Sequence, residues 1–457
     1  MIAASKRHLW VLLAMLLAAC SPATTTAIPT GVDINKVSTQ TAATVLVTPT
    51  TATRPTVTNT ITALPTGIQS TSIPASLPLF PLDGYVMVFT KGGDLYFRDG
   101  SSSPVKLTHG GELPLYPHIS DDNQKIVFSR GKPSDEDFSN IYSVNSDGSQ
   151  EQALITQQWL TNRGEGTRVR FHPVFVPNTH KLLFNTYLCV SQGPDSPCSV
   201  GIFLIDADSG KIKEILAPGP ANLHDYVREF NLSPDGKMIS IATIGHIDIL
   251  GITGSDVRHN ILAYKPSTSR AQFPAQFWLP DSSGLIVALP NTIYHSTAYG
   301  DLPAYTLWRY TIDNQKAVHI PLDAPLMNLE FSMDRFQVSL DGNWILYGGN
   351  SDNETSAYLG NLANGKAQLL GDLRPPYFSW SPDSKHFLSG NFLGAIEKPL
   401  FPINGFGLSW IDANHYIYIS LDKKPKTRIG ELGGNTTRLY ELGFDKDVDD
   451  SLSIKRK

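Results

Sequence analysis

One polar stretch of this sequence gathers positive charge. TNRGEGTRVRFH carries Arg163, Arg168 and Arg170 within eight positions. A guanidinium group can hold a carboxylate or a phosphate through two parallel hydrogen bonds, so these side chains are candidates for binding an anionic ligand. The alternative is solvated surface charge with no ligand, and the sequence leaves both interpretations open.

Two other stretches combine aromatic rings with histidine and arginine. NTIYHSTAYGDLPAY and NLHDYVRE together contribute Tyr294, His295, Tyr299, His224, Tyr226 and Arg228. Aromatic faces of this kind suit stacking on a sugar or a peptide, and the polar groups beside them could fix its orientation. Ordinary packing of loop side chains is the alternative for both stretches.

Catalytic, metal and cofactor motifs are weak by comparison. The sequence has no H-E-x-x-H pair, no P-loop and no Rossmann glycine set. His246 and Asp248 share one face of a predicted strand, but the sequence supplies no third ligand. The aspartates of 145–148 and 206–210 lie where turns are expected, which explains them without calcium. We therefore assign no catalytic residue, no metal site and no cofactor.

Composition and charge exclude some partners. The chain has 457 residues, 41% hydrophobic and 17% charged, with a formal net charge of −5. Nothing in the sequence is basic enough for a nucleic-acid surface, where a patch of clustered Lys and Arg is expected. We expect a monomer that does not bind nucleic acid.

The first residues have the pattern of a secretory leader. Lys6 and Arg7 precede an apolar run over 9–19, which is too short for a permanent membrane span. The run ends in Leu-Ala-Ala-Cys, which resembles the lipobox of bacterial lipoproteins. The resemblance implies that 1–19 is a signal peptide and that Cys20 is lipidated and holds the protein on a membrane of the cell envelope, outside the cytoplasm. An ordinary secretory signal with an incidental cysteine is the alternative.

A low-complexity segment follows, from residue 20 to residue 78. Thr alternates with Pro, Ala and Val, with few charges and no aromatic residue before residue 80. Such a segment is unable to bury a core, so we expect a disordered linker that holds the next domain away from the membrane.

Two further cysteines flank a loop rich in Gly, Pro and Ser. Cys189 and Cys198 lie between strand-like runs in YLCVSQGPDSPCSVGIF. In an oxidising compartment we expect a disulfide across this loop, and two free buried thiols are the alternative.

The elements that position these side chains come from an internal repeat. A tight turn centred on Asp, flanked by two strand-like runs, occurs eight times without a gap. The copies are FPLDGYVMVF (80–89), ISDDNQKIVF (119–128), FVPNTHKLLF (175–184), LSPDGKMISI (232–241), WLPDSSGLIV (278–287), VSLDGNWILY (338–347), WSPDSKHFLS (380–389) and WIDANHYIYI (410–419).

Each unit continues with a third and a fourth strand. Third strands are indicated by runs such as DLYFRD (94–99), NIYSVNSDG (140–148) and NILAYKPSTS (260–269). Four-stranded units of this length predict an all-β chain folded as a β-propeller over 79–450, followed by a charged tail over 451–457. We count eight units. A count of seven blades is the alternative, because only 30 residues separate the last two turns, at 383 and 413. A β-sandwich is the less favoured fold.

The repeat also carries a family resemblance. LSPDGKMISI, with Leu at the position of the family's Phe or Trp, is similar to the Phe/Trp-Ser-Pro-Asp-Gly-Lys repeat of TolB-like propellers, and the similarity covers about 80–444. The resemblance implies the propeller fold and no particular activity. This chain lacks the small α/β domain that precedes the propeller in TolB itself. It also lacks the hydrolase domain and the G-x-S-x-G motif of oligopeptidases that share such propellers.

Loop lengths indicate which side of the propeller binds. In every unit, the turn between the first and second strands is short, and so is the turn between the third and fourth strands. The long connections after the second strand (130–139, 186–199, 243–259, 290–304) and between units (157–169, 217–227, 321–334) lie on the other side. Long loops on a rigid scaffold commonly bind ligands. We expect a binding or scaffold module for a protein, a peptide or an envelope glycan. The alternative is a propeller-type glycan lyase or hydrolase.

Overall fold

The predicted propeller is confirmed, with eight blades. The computed structural model describes residues 46–47, 77–131, 140–169, 173–189, 198–217, 229–265, 274–296, 300–327, 336–351, 354–371, 378–421, 426–433, 436–441 and 452–457. These residues form eight antiparallel sheets in chain order around a ring. The seventh blade fits its short stretch of chain because its third and fourth strands have only four and two residues.

The strands of the first half, in chain order, are β1 (Leu46–Val47), before the blades; β2 (Tyr85–Lys91), β3 (Asp94–Asp99) and β4 (Val105–Lys106) in blade 1; β5 (Pro114–Ile119), β6 (Lys125–Arg130), β7 (Ile141–Asn145) and β8 (Gln152–Ile155) in blade 2; β9 (Arg168–Val169), β10 (Val174–Phe175), β11 (Lys181–Cys189), β12 (Cys198–Asp206) and β13 (Ile212–Leu216) in blade 3; and β14 (Glu229–Leu232), β15 (Met238–Thr243), β16 (His246–Gly251) and β17 (Arg258–Tyr264) in blade 4.

The strands of the second half are β18 (Ala275–Trp278), β19 (Gly284–Ser296), β20 (Gly300–Thr311), β21 (Lys316–Ile320) and β22 (Leu326–Met327) in blade 5; β23 (Phe336–Val338), β24 (Trp344–Ser351), β25 (Glu354–Asn361) and β26 (Ala367–Gly371) in blade 6; β27 (Phe378–Trp380), β28 (His386–Ser389), β29 (Phe392–Ala395) and β30 (Phe401–Pro402) in blade 7; β31 (Gly405–Trp410), β32 (His415–Ser420), β33 (Thr427–Gly433) and β34 (Thr436–Glu441) in blade 8; and β35 (Leu452–Arg456) at the C-terminus. One short helix, α1 (Gln157–Thr161), lies between blades 2 and 3.

The repeated turn is held by a serine as well as by the aspartate. In blade 4 the Ser233 hydroxyl donates to Asp235 (2.6 Å), and it accepts the backbone N–H of Met238 (2.9 Å). Asp235 also accepts the N–H of Lys237 (3.1 Å). The same arrangement occurs in blades 2, 6 and 7, at Ser120–Asp122, Ser339–Asp341 and Ser381–Asp383. The turn therefore closes through local hydrogen bonds that its own residue types provide.

The hydrophobic core is divided among the seams between blades. The described residues include eight clusters of buried apolar side chains, and each joins two adjacent blades. Three seams are also joined by an indole N–H that donates to a backbone carbonyl of the preceding blade. These bonds run from Trp278 to Asn231, from Trp380 to Gln337 and from Trp410 to Ser379, at 2.9 to 3.0 Å. The large first residue of the repeat thus packs against the neighbouring blade.

The C-terminal residues close the ring. β35 is antiparallel to β2, with Leu452 opposite Phe89 and Arg456 opposite Tyr85. The expected propeller boundary at residue 450 is therefore corrected, because 452–456 form a strand of blade 1 and not a separate tail. Blade 1 takes this strand from the other end of the chain because FPL, before its turn, forms no strand with β2.

Blade 4 differs from its prediction in one strand. NILAYKPSTS was expected to give the third strand after a long loop over 243–259. In the structure the third strand is β16, which follows β15 after two residues, Ile244 and Gly245. β17 is the fourth strand, and β1 pairs with it in parallel. Blade 4 therefore has a tight turn where a long loop was expected.

Among the residues that the structure describes, no helix is long and apolar enough to cross a bilayer.

Candidate functional site

Among the described residues, the hairpins of blades 3 and 5 have the longest second and third strands. We call the side with the connections between second and third strands the loop face, and the opposite side the turn face. β19 and β20 have 13 and 12 residues, and β11 and β12 have nine each. Between them, β15 and β16 of blade 4 have six residues each. Blades 3 and 5 therefore extend hairpin arms beyond the length of the blade 4 hairpin, and we call the part of the loop face that the described residues of the two arms flank the recess.

Each arm is supported by an additional strand. β9 pairs with β11 at Thr186 and Tyr187, and β22 pairs with β20 at Ala304 and Tyr305. The Tyr305 ring also packs on Phe336 of blade 6, with 4.9 Å between centroids. These contacts fix the arms at their bases, so the recess has firm sides.

The three candidate arginines have different surroundings. The Arg163 guanidinium carbon lies 3.4 Å from the centroid of the Trp159 ring and 5.2 Å from that of Phe203. Its Nη1 donates to the Trp159 carbonyl, and burial lowers the pKa of Arg163. This stack holds the α1 connection against blade 3. Arg168 is exposed in β9, opposite Tyr187. Arg170 lies outside the described residues.

The candidate aromatic residues are described in part. Tyr294 is half-buried and His295 is exposed on the blade 5 arm, and they lie opposite Leu302 and Asp301. The remaining candidates, Tyr299, His224, Tyr226 and Arg228, lie outside the described residues. The structure thus places Arg168 on one arm and Tyr294 and His295 on the other.

The two cysteines are cross-strand neighbours at the end of the blade 3 arm. The register of β11 and β12 puts Cys189 directly opposite Cys198. Directly opposed residues of an antiparallel pair have Cα atoms about 4.5–5.5 Å apart, within the range of about 4.4–6.8 Å that a disulfide spans. The backbone is therefore compatible with the predicted disulfide.

His246 and Asp248, which both lie in β16, have a third partner that the sequence did not indicate. His259 of β17 lies 3.4 Å from the Asp248 carboxylate, and His246 lies 3.5 Å from it. Burial acts to raise the pKa of Asp248, but hydrogen bonds from His246 and from the N–H of Asn260 have the larger effect. The pKa of Asp248 is therefore lower than its ordinary 3.8. Among the described residues, no group of three or more His, Cys, Asp or Glu could hold a metal ion.

A larger polar cluster lies on the turn face, at the seam between blades 2 and 3. Lys125 is 1% exposed, and its ammonium group contacts Asp208 (2.9 Å) and the side-chain oxygen of Asn145 (2.6 Å). His180 contacts Asp208 through Nδ1 (2.8 Å) and Asp122 through Nε2 (3.0 Å). We call Asp122, Lys125, Asn145, His180 and Asp208 the seam network. A polar cleft of about 450 Å³ opens beside it.

The carboxylates of the network are held ionised. Burial raises the pKa of Asp208, but hydrogen bonds from Lys125 and His180 outweigh this and lower it below its ordinary 3.8. The pKa of Asp122 is lowered likewise, by Ser120, by the N–H of Gln124 and by His180. No sequence motif indicates this cluster, since Asp122 and His180 are 58 positions apart.

Comparisons with known proteins bear on the fold alone. No protein-family model matches the sequence, and no curated protein matches it as a relative. An oligogalacturonate lyase solved with manganese is similar in structure at 13% identity, with a TM-score of 0.45, over 71% of this chain and 86% of that one. TolB from Acinetobacter baumannii has 13% identity and a TM-score of 0.37, over 74% of this chain and 66% of that one. A prolyl endopeptidase has 11% identity and a TM-score of 0.41, over 80% of this chain and 51% of that one.

Proposed function

We propose that the chain is a binding module whose ligand lies in the recess of the loop face, across blade 4. The observation that supports this most is the pair of braced arms on blades 3 and 5, on either side of the two-residue turn at Ile244 and Gly245. A concave surface on a rigid scaffold is where ligands commonly bind, and the ring of blades supplies the rigidity.

The side chains at this recess indicate the class of ligand. Arg168 lies on the support of one arm, and Tyr294 and His295 lie on the other arm. An arginine on one arm, with aromatic and imidazole groups on the other, suits a peptide or an acidic envelope glycan. Propellers also include enzymes, so a glycan lyase or hydrolase acting in the same recess is the alternative.

We further propose that the module is anchored to a bacterial membrane outside the cytoplasm. The proposal depends on the lipobox-like Leu-Ala-Ala-Cys and on the Thr/Pro-rich segment after it. An acylated Cys20 would hold the chain at the membrane, and an extended linker would leave the loop face accessible to a partner in the envelope.

The binding proposal is tested with defined probes. The full chain is applied to an array of envelope polysaccharides and to a displayed peptide library, and bound probes are titrated against Arg168→Ala combined with Tyr294→Ala. The control variant combines Lys237→Ala with Lys385→Ala, which are exposed lysines of the turn face. We expect the loop-face variant to weaken binding roughly 10-fold, as loss of an aromatic and an arginine contact does, and the control to be unchanged.

Equal weakening by both variants, or by neither, would contradict the assignment to the loop face. Polysaccharide probes are also assayed for new reducing ends and for unsaturated ends. Cleavage that Tyr294→Ala and Arg168→Ala abolish would favour the enzyme over the binding module.

A further inference from the structure

His180 has a carboxylate at each ring nitrogen. Nδ1 lies 2.8 Å from Asp208, and Nε2 lies 3.0 Å from Asp122. A neutral imidazole has one N–H and one acceptor nitrogen, whereas the imidazolium has two N–H donors. Because both carboxylates only accept hydrogen bonds, both contacts are satisfied together only when His180 is protonated.

The two carboxylates depend on His180 to different degrees. Asp208 also contacts the buried ammonium group of Lys125, which supplies a permanent positive charge. Asp122 is otherwise bound by the Ser120 hydroxyl and the Gln124 N–H of its own turn. Loss of the proton from His180 therefore leaves Asp122, across the seam, with no cation among its hydrogen-bond partners.

Other charged groups near His180 and Asp122 have further partners of their own. The Lys455 ammonium group of blade 1, which attracts Asp121 and Asp122, donates to the Ser120 carbonyl. Asp121 accepts the backbone N–H of Asn178 across the seam (2.8 Å), and Asp206 accepts the N–H groups of its own turn, at 208 and 209. Lys181 follows His180 and is exposed. Two neutral bonds complete the seam on this face, from Ser143 and from Gln152 to the Ala207 carbonyl. Among these described contacts across the seam, His180–Asp122 is the one that a proton can switch near neutral pH.

We propose that His180 is a proton-operated latch that joins the turns of blades 2 and 3 at the turn face. In its protonated form it bridges Asp122 and Asp208 at the wall of the cleft. Deprotonation removes the imidazolium charge and leaves one N–H for two carboxylates, so the contact between His180 and Asp122 weakens. The turns over 176–180 and 120–124 are then held mainly by the bond from the Asn178 N–H to Asp121. The neutral bonds and the Lys125–Asp208 pair keep the remainder of the seam joined.

The electrostatics give the direction of the switch. Partial burial lowers the pKa of His180, but its hydrogen bonds to Asp208 and Asp122 outweigh this and raise it above 6.5. A raised pKa means that the contribution to stability is complete below the ordinary value and is lost as pH rises through the folded value. The lowered pKa values of Asp122 and Asp208 mean that their contribution is lost only in acid, below 3.8. The latch is therefore firm at pH values between the pKa of the two carboxylates and the pKa of His180. It loosens as pH rises through the pKa of His180.

Hydrogen–deuterium exchange of the full chain tests the proposal. Exchange is followed from about pH 5 to about pH 8, the range of imidazole titration, with labelling times scaled to the intrinsic exchange rate. We expect peptides covering 120–124 and 176–180 to exchange roughly five-fold faster after deprotonation, the equivalent of about 1 kcal/mol for a partly exposed ion pair. His180→Gln and Asp122→Asn should abolish this step, whereas His109→Gln, at an exposed histidine outside the network, should keep it.

A second measurement does not depend on the folding of any variant at His180. The histidine NMR signals of the wild-type chain are titrated, and the His180 signal is assigned by its shift in Asp122→Asn. A His180 pKa above 6.5 that Asp122→Asn lowers supports the latch. A pKa at or below 6.5, no exchange step in the wild type, or a step that persists in His180→Gln would overturn it.

Discussion

Removal of 451–457 should open the ring at the seam between blades 8 and 1. Five residues of β35 pair with Tyr85–Phe89, and the N–H of Lys457 donates to the Gly84 carbonyl. At a net value of about 1 kcal/mol each, roughly five backbone bonds contribute about 5 kcal/mol. Burial of Ile454, which is 9% exposed, adds about 1.5–3 kcal/mol. The sum is a large part of the about 5–15 kcal/mol that holds a typical domain folded.

The assay is chemical denaturation of the full chain and of a chain that ends at Asp450. We expect the shortened chain to lose most of its cooperative transition or to unfold at much lower denaturant. Ile454→Ala keeps the strand and removes side-chain burial, and should cost about 2–3 kcal/mol. Lys457→Ala removes only the half-exposed ion pair with Asp99 and should cost under about 1 kcal/mol. A shortened chain with the midpoint of the full chain would refute the assignment of β35 as the closing strand.

Three other predictions follow from single features. Ser339→Ala removes a buried hydroxyl that bonds Asp341 and the N–H of Trp344, and should lower the free energy of unfolding by about 1–2 kcal/mol; an unchanged midpoint would mean that the serine is dispensable to the turn. Cys189 and Cys198 should resist thiol labelling of the unfolded chain until a reductant is added, and Cys189→Ala should cost about 2–3 kcal/mol; labelling without reductant would contradict the disulfide. Cys20→Ser should move the protein from the membrane fraction to the soluble fraction of cells, and retention on the membrane would contradict lipidation.

The arms, and the surroundings of the candidate site residues, could not be predicted from the sequence. The residues chosen from loop composition included Arg163, which stacks on Trp159 and holds a connection in place. Composition does not distinguish an arginine that packs from one that faces solvent, because both occur in polar stretches between strands. The recess at blade 4 was also missed, since the sequence suggested a long loop at 243–259 where the chain forms a two-residue turn and a strand.

The sequence alone determined the all-β class and the eight repeat units, seven of which form the predicted hairpin between first and second strands. These features follow from local chemistry: the hydrogen bonds of Ser233 and Asp235 join residues at most five positions apart, and strand alternation has a period of two. Any eight such hairpins with apolar faces must bury those faces against one another, which is why the repeat indicated a ring.

Only the tertiary structure decided how the ring closes and which polar side chains meet. β35 reaches β2 from the far end of the chain, and His180 reaches Asp122 from the next blade. Contacts of this kind depend on the register and orientation of whole blades, which are set by apolar packing at the seams. A polar partner one blade away leaves no period in the sequence, so the seam network and the closing strand became visible only when the blades were placed side by side.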